Sequence, residues 1–99
     1  MLVRIISRKT LREFWEMHPD AQQSLQAWYF DVKHFRWKSP SDIKVMYRNA
    51  SFLAGNRVVF NIKGNKYRIV VAVQYDFGIV YIRFVGTHKD YDKIDAAAI

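Results

Sequence analysis

Along the chain the apolar positions change period near the middle, from the three-and-four spacing of helices to the alternation of strands. Residues 2–6 form a short β-branched run that predicts a strand, and Ser7 is placed to cap the helix after it. Leu11, Phe14 and Trp15 give a first helix that must stop before His18-Pro19, because a residue preceding proline avoids the helical region. Leu25, Trp28, Tyr29 and Val32 give the apolar stripe of a second helix that starts near Pro19-Asp20 and ends near Phe35 or Arg36. The two make a helical hairpin. Ser39-Pro40-Ser41-Asp42 opens a further short helix through Ile43 and Met46-Tyr47. From Ala50 onward strands are expected at 52–53, 57–63, 66–75 and 79–86. Thr87 with Asp90 three residues later predicts a capped terminal helix within 87–99.

Gly64-Asn65 suits a two-residue hairpin loop, since both residues tolerate the positive φ of primed turns. That register sets Ile62 against Tyr67, Asn61 against Arg68, Phe60 against Ile69 and Val58 against Val71. One face then carries Phe60, Ile62, Tyr67, Ile69 and Val71 for packing on the helices, and the other carries Asn61, Lys63, Lys66 and Arg68. A second loop at Phe77-Gly78 would pair Val73 with Ile82, Val71 with Phe84, Ala72 with Arg83 and Arg68 with Thr87. It adds Tyr81 and Arg83 to the cationic face and brings His88 to the Arg68 end of the sheet. The expected architecture is α+β: an N-terminal helical hairpin on one face of a small antiparallel sheet, then a short C-terminal helix.

The 99 residues, 51% of them hydrophobic, suit one domain spanning 1–99. With no cysteine and no apolar stretch of membrane-spanning or signal-peptide length, a cytoplasmic protein without membrane association is expected. Sixteen Lys and Arg against nine Asp and Glu give a net charge of +7, which draws polyanions. Between Ile43 and Tyr75 the six charges, Lys44, Arg48, Arg57, Lys63, Lys66 and Arg68, are all basic. Such a patch suits nucleic acid, although solubility alone explains as much charge.

Arg68 is the sharpest candidate, a cation on a rigid strand with no carboxylate among its expected neighbours, which suits phosphate binding. Lys66 beside the turn has the blander reading of a charge that blocks edge-to-edge aggregation. His88, placed near guanidinium groups, is a candidate acid or base. Its i, i+4 partner Asp92 has metal-ligand spacing, but no His/Cys cluster accompanies the pair, so no metal or other cofactor is expected. Asp90 and Asp92 fit the N-terminus of the last helix instead. His18, His34 and the second helix's aromatic residues read as structural.

The ordered pair of segments from Val59 to Val70 (VFNIKGNKYRIV) and from Ile82 to Asp95 (IRFVGTHKDYDKID) resembles HigB-type toxins of type II toxin–antitoxin systems. Leu11 to Trp15 (LREFW) and Trp37 to Pro40 (WKSP) extend the resemblance over nearly the whole chain. It implies a RelE-like fold, ribosome-dependent endonucleolytic cleavage of mRNA, and neutralisation by a HigA-type helix-turn-helix antitoxin. It also implies that Arg68 contacts the scissile phosphate. His88 then becomes the candidate for proton transfer, Lys63 a supporting cation and Tyr91 an orienting or stacking residue. Asn61, Lys66, Arg57, Arg83 and Lys89 are the expected RNA contacts. The rival class is a basic module that binds RNA or an acidic protein without cutting.

Overall fold

A computed structural model describes residues 3–99. Its elements run β1 (Arg4–Ile6), α1 (Arg8–Met17), a 3-10 turn (Pro19–Ala21), α2 (Gln22–His34), α3 (Pro40–Met46), β2 (Ser51–Leu53), β3 (Arg57–Ile62), β4 (Tyr67–Gln74), β5 (Ile79–Thr87) and α4 (His88–Tyr91). The α+β architecture expected from the sequence is present. The five strands form one sheet in the order β1-β5-β4-β3-β2, antiparallel throughout except that β1 joins the edge parallel to β5. Residue 2, where the first strand is predicted to begin, lies outside the described residues.

Local chemistry explains the element boundaries. The Ser7 hydroxyl accepts from Lys9 N–H and so caps α1. Asp42, in the first turn of α3, accepts from Lys38 N–H and ties down the entry to that helix. The Thr87 hydroxyl accepts from Asp90 N–H at the start of α4. That last helix is short, as expected, a single turn after which Asp92, Lys93 and Asp95 interrupt any apolar stripe.

The helices lie on the sheet face formed by Val58, Phe60, Ile62, Tyr67, Ile69, Val71 and Val73, all buried with Leu11, Leu25, Trp28 and Val32. Phe60 is the hub, its ring centroid 5.4 Å from Trp28, 5.8 Å from Trp37 and 5.2 Å from Tyr47. Truncating a core aromatic of this kind typically costs about 3–5 kcal/mol.

The β3–β4 register is the one the sequence predicts, from Ile62 opposite Tyr67 to Val58 opposite Val71. The turn differs in detail: the positive φ values fall at Lys63 (53°) and Gly64 (67°), not at Gly64 and Asn65. The β4–β5 register departs from expectation. Val73 pairs with Val80, Val71 with Ile82 and Ala72 with Tyr81, and Arg68 pairs with Gly86. The cause is the loop: Gln74 pairs with Ile79, so residues 75–78 close the hairpin where Phe77-Gly78 alone is expected, and the register starts two residues off. A bulge between the Val71/Ile82 and Val70/Phe84 pairs, which leaves Arg83 without a partner in β4, then takes back one of the two. The bulge keeps Arg83 exposed and turns Phe84 toward the face opposite the helices.

That opposite face is not cationic along its length. Val59, Val70 and Ala96 are buried there beneath Leu53, Phe84, Tyr91, Ile94 and Ile99, so the C-terminal segment covers the middle of the sheet. The end beside the 63–66 turn keeps its polar side chains open, as does Gln74 at the other end of β4.

Candidate active site

The open end of this face is built around Arg68. Its position in β4 places it opposite Asn61 of β3 and Gly86 of β5. The missing side chain at Gly86 leaves room for the Phe84 ring, whose Cζ would lie 2.5 Å from a Cβ there. Phe84 in turn lies 6.4 Å from Tyr91, centroid to centroid, and the Arg68 guanidinium sits 4.7 Å from the Tyr91 centroid. Phe84, Tyr91 and Arg68 thus form one cluster over Gly86, the two rings tilted by 55° and the guanidinium over Tyr91. With Asn65 released from the left-handed region, its Oδ1 accepts from Arg68 Nη2 at 3.1 Å.

The guanidinium is held but not neutralised. Among the described residues no carboxylate pairs with Arg68. Its Nε–H is buried with no acceptor. Buried donors are nearly always paired, so an orphan on a fixed cation suits an incoming acceptor. Arg36 has an orphaned Nε–H as well, but its fork is spent: its Nη2 donates to the carbonyls of Tyr75 and Asp76, where it braces the β4–β5 loop, whereas the Arg68 fork meets only Asn65.

His88 comes directly after β5, its backbone N–H donating to Lys66 O at 3.2 Å. Its Nδ1 lies 3.3 Å from Asp92 Oδ2 across one turn, and the imidazole is partly exposed. The pair with the spacing of metal ligands is therefore a His–carboxylate contact, with Nδ1 turned toward Asp92. Asp92 faces His88 from the C-terminal end of the single turn and does not sit at the helix N-terminus as expected; Asp90 alone lies in the first turn.

Lys63 and Lys66 are drawn to the opposite side of the turn by Asp20, whose place in the sequence marks only a helix start. Asp20 accepts from the Tyr67 hydroxyl at 2.6 Å and from Lys66 Nζ, and Lys63 Nζ lies 3.7 Å away. Lys63 Nζ also donates to the Asp20 carbonyl. These contacts, the Lys66 hydrogen bond foremost, lower the Asp20 pKa to about 2 and raise that of Lys66. The Tyr67 hydroxyl is pushed up by its hydrogen bond to Asp20 and by burial. The two lysines hence form a braced rim, partly compensated by Asp20, beside the uncompensated Arg68.

The remaining candidates are dispersed. Asn61 borders Arg68 across the ladder, Lys89 is exposed on α4, and Arg83 at the bulge lies 5.3 Å from the Tyr81 ring. Arg57 sits at the far end of β3 and donates to the carbonyls of Ile99 and Gly55, away from the Arg68 cluster. Sequence reasoning does not count Asn65, Phe84, Asp92 or Asp20 among the site residues. The Asx residue beside the turn and the i, i+4 spacing are signals for two of them; nothing local marks Phe84 or Asp20.

No helix among the described residues is long and apolar enough to cross a membrane. The family model described as "HigB_toxin, RelE-like toxic component of a toxin-antitoxin system" matches residues 21–94. Over 97 residues, 95% of this chain and 92% of the relative, the sequence is 31% identical to the mRNA interferase toxin HigB of Escherichia coli strain K12. The same identity and coverage, 31% over 95% and 92%, relate it to the mRNA interferases HigB of Escherichia coli O157:H7 and Shigella flexneri. A tethered, uncompensated arginine beside the β3–β4 hairpin and a match over about three quarters of the chain converge: the chain belongs to the HigB family of RelE-like toxins of toxin–antitoxin systems.

Proposed function

We infer that this chain is the mRNA-cleaving toxin of a toxin–antitoxin pair, an endoribonuclease that cuts messages on the translating ribosome and is held inactive by a HigA-type helix-turn-helix antitoxin. The observation that carries the catalytic reading is Arg68: uncompensated, stacked on Tyr91, and left with a buried Nε–H lacking an acceptor. The toxin assignment and the mRNA target rest on family membership and on the names of the relatives.

The proposed chemistry uses the ribose 2′-hydroxyl of the message as nucleophile. The 2′-oxygen–phosphorus bond forms, the bond to the 5′-oxygen breaks, and the products are a cyclic 2′,3′-phosphate and a 5′-hydroxyl. Arg68 meets the charge that develops on the non-bridging oxygens, where a fixed donor acts most strongly. His88, oriented by Asp92, exchanges the proton. Tyr91 holds the guanidinium plane, and Lys63, Lys66 and Asn61 guide the flanking strand, with Arg83 and Lys89 at the periphery. Arg57 has no part in the centre. No resident metal is needed for this route.

Induction from a tightly controlled promoter, with colony counts and mapping of mRNA 5′ ends, tests the reading. Growth arrest with new cleavage sites in translated messages, relieved by the neighbouring antitoxin gene, is expected. Soluble, folded protein that neither slows growth nor cuts RNA would overturn it in favour of a binding module.

A further inference from the structure

A groove beside Arg68 takes no part in the cleavage chemistry. β2 pairs only with Arg57, Val58 and Val59, so among the described residues Phe60, Asn61 and Ile62 have no strand on that side. Residues 46–50, which lead from α3 to β2, stand off from this free edge and leave a groove of about 330 Å3. That is within the roughly 300–1,000 Å3 range of small-ligand sites. Tyr47, half-buried and packed edge to face on the buried Phe60 at 5.2 Å, supplies its aromatic side, and Arg48, Asn49 and Asn61 its polar wall.

Three properties of this wall identify its ligand. No hydrogen bond or ion pair among the described residues engages the side chains of Arg48, Asn49 or Asn61. Two of the three are amides, which offer a donor and an acceptor together, and the bare strand edge offers both as well. A phosphate calls for donors alone; a nucleobase edge presents donors and acceptors side by side, and its flat face suits the aromatic side that Tyr47 supplies. The groove also continues into the Arg68 site: Asn61 is the cross-strand partner of Arg68, and Gly64 on the rim precedes Asn65, which holds the guanidinium.

We propose that this groove is a nucleobase subsite, with Arg48 and Asn49 reading the base of the nucleotide next to the phosphate on Arg68. The assignment rests on the RNA-cleaving reading for its substrate, but its test does not require cleavage. RNA trinucleotides of A, C, G or U, methylated at every 2′-oxygen so that they cannot be cut, are titrated into the full chain while amide chemical shifts are followed. Saturable shifts at Asn49, Phe60 and Asn61 are expected, with affinities that differ several-fold among the four bases. Arg48 and Asn49 are both exposed, so Arg48→Ala and Asn49→Ala should fold normally. Each should weaken the preferred trinucleotide by about tenfold, the size of one lost side-chain contact to a base edge. Shifts confined to Arg68 and Tyr91, equal affinity for all four bases, or no saturable shift would each overturn the subsite. Cleavage on ribosomes is measured separately, so a chain that reads bases without cutting refutes only the catalytic role.

Discussion

The guanidinium of Arg68 stands 4.7 Å from the centroid of Tyr91, two residues that reach each other only because β5 returns the chain to the start of β4 before α4 begins. The contact holds the guanidinium without neutralising it, which suits the proposed phosphate contact. A carboxylate partner would hold it as firmly and cancel its charge.

If stacking is the role of Tyr91, Tyr91→Phe should cleave at close to the wild-type rate. Tyr91→Ala should fall by about tenfold, in line with the roughly 0.5–2 kcal/mol of a cation–π contact. The comparison is made by single-turnover cleavage on stalled ribosomes. A strong defect in Tyr91→Phe would show that the hydroxyl, and not the ring, is what the reaction needs.

Gly86 supports the same cluster from below. A methyl group there meets Phe84 at 2.5 Å, so Gly86→Ala must displace the ring that backs Tyr91. Overpacking of this kind costs about 1–3 kcal/mol of stability. Cleavage measured well below the variant's melting temperature should still drop severalfold. Full activity at that temperature would separate the cluster from catalysis.

The Asp20 cluster makes a pH prediction whose sign is fixed by the direction of its shift. The pKa is lowered from 3.8 to about 2 in the fold, so the carboxylate adds stability above the unfolded value and loses it as pH falls through about 2. Asp20→Asn should therefore melt below the wild type at pH 7, and the gap should close between about pH 4 and pH 2. Thermal unfolding across that range decides it. A gap that stays constant with pH would assign the cost to the side chain's shape and not to its charge.

How much of this is legible in the sequence depends on how far apart the partners lie. Phe60, Ile62, Tyr67 and Ile69 declare the β3–β4 register because alternation and a tight turn are both local signals, and the helix-facing core comes with them. The β4–β5 register is hidden because the loop takes in residues 75–78 and not Phe77-Gly78 alone, and because a bulge at Arg83 leaves apolar residues on both sides of the slip, Ile82 and Val85 facing the helices and Phe84 facing away. The apolar second face becomes intelligible only with Ile94, Ala96 and Ile99 in place over it. Arg68 and His88 stand out by type and position. Asp20 does not, because its ties to Lys63, Lys66 and Tyr67 cross more than forty positions that no periodicity links.

The central claim is that Arg68 is a catalytic cation and not a structural one, and one paired measurement on Arg68→Ala tests it most directly: thermal unfolding beside cleavage of mRNA on translating ribosomes. Outside the core, the residue should change stability by no more than about 1.5 kcal/mol, the sum of an ordinary surface substitution and an exposed cation–π contact. Cleavage should fall at least about a hundredfold, the loss typical of one preorganised transition-state donor. Arg68→Lys keeps the charge and the aliphatic stem but loses the fork; it should fold as wild type and remain at least about tenfold slower. Folded Arg68→Ala that cleaves at the wild-type rate would contradict the account.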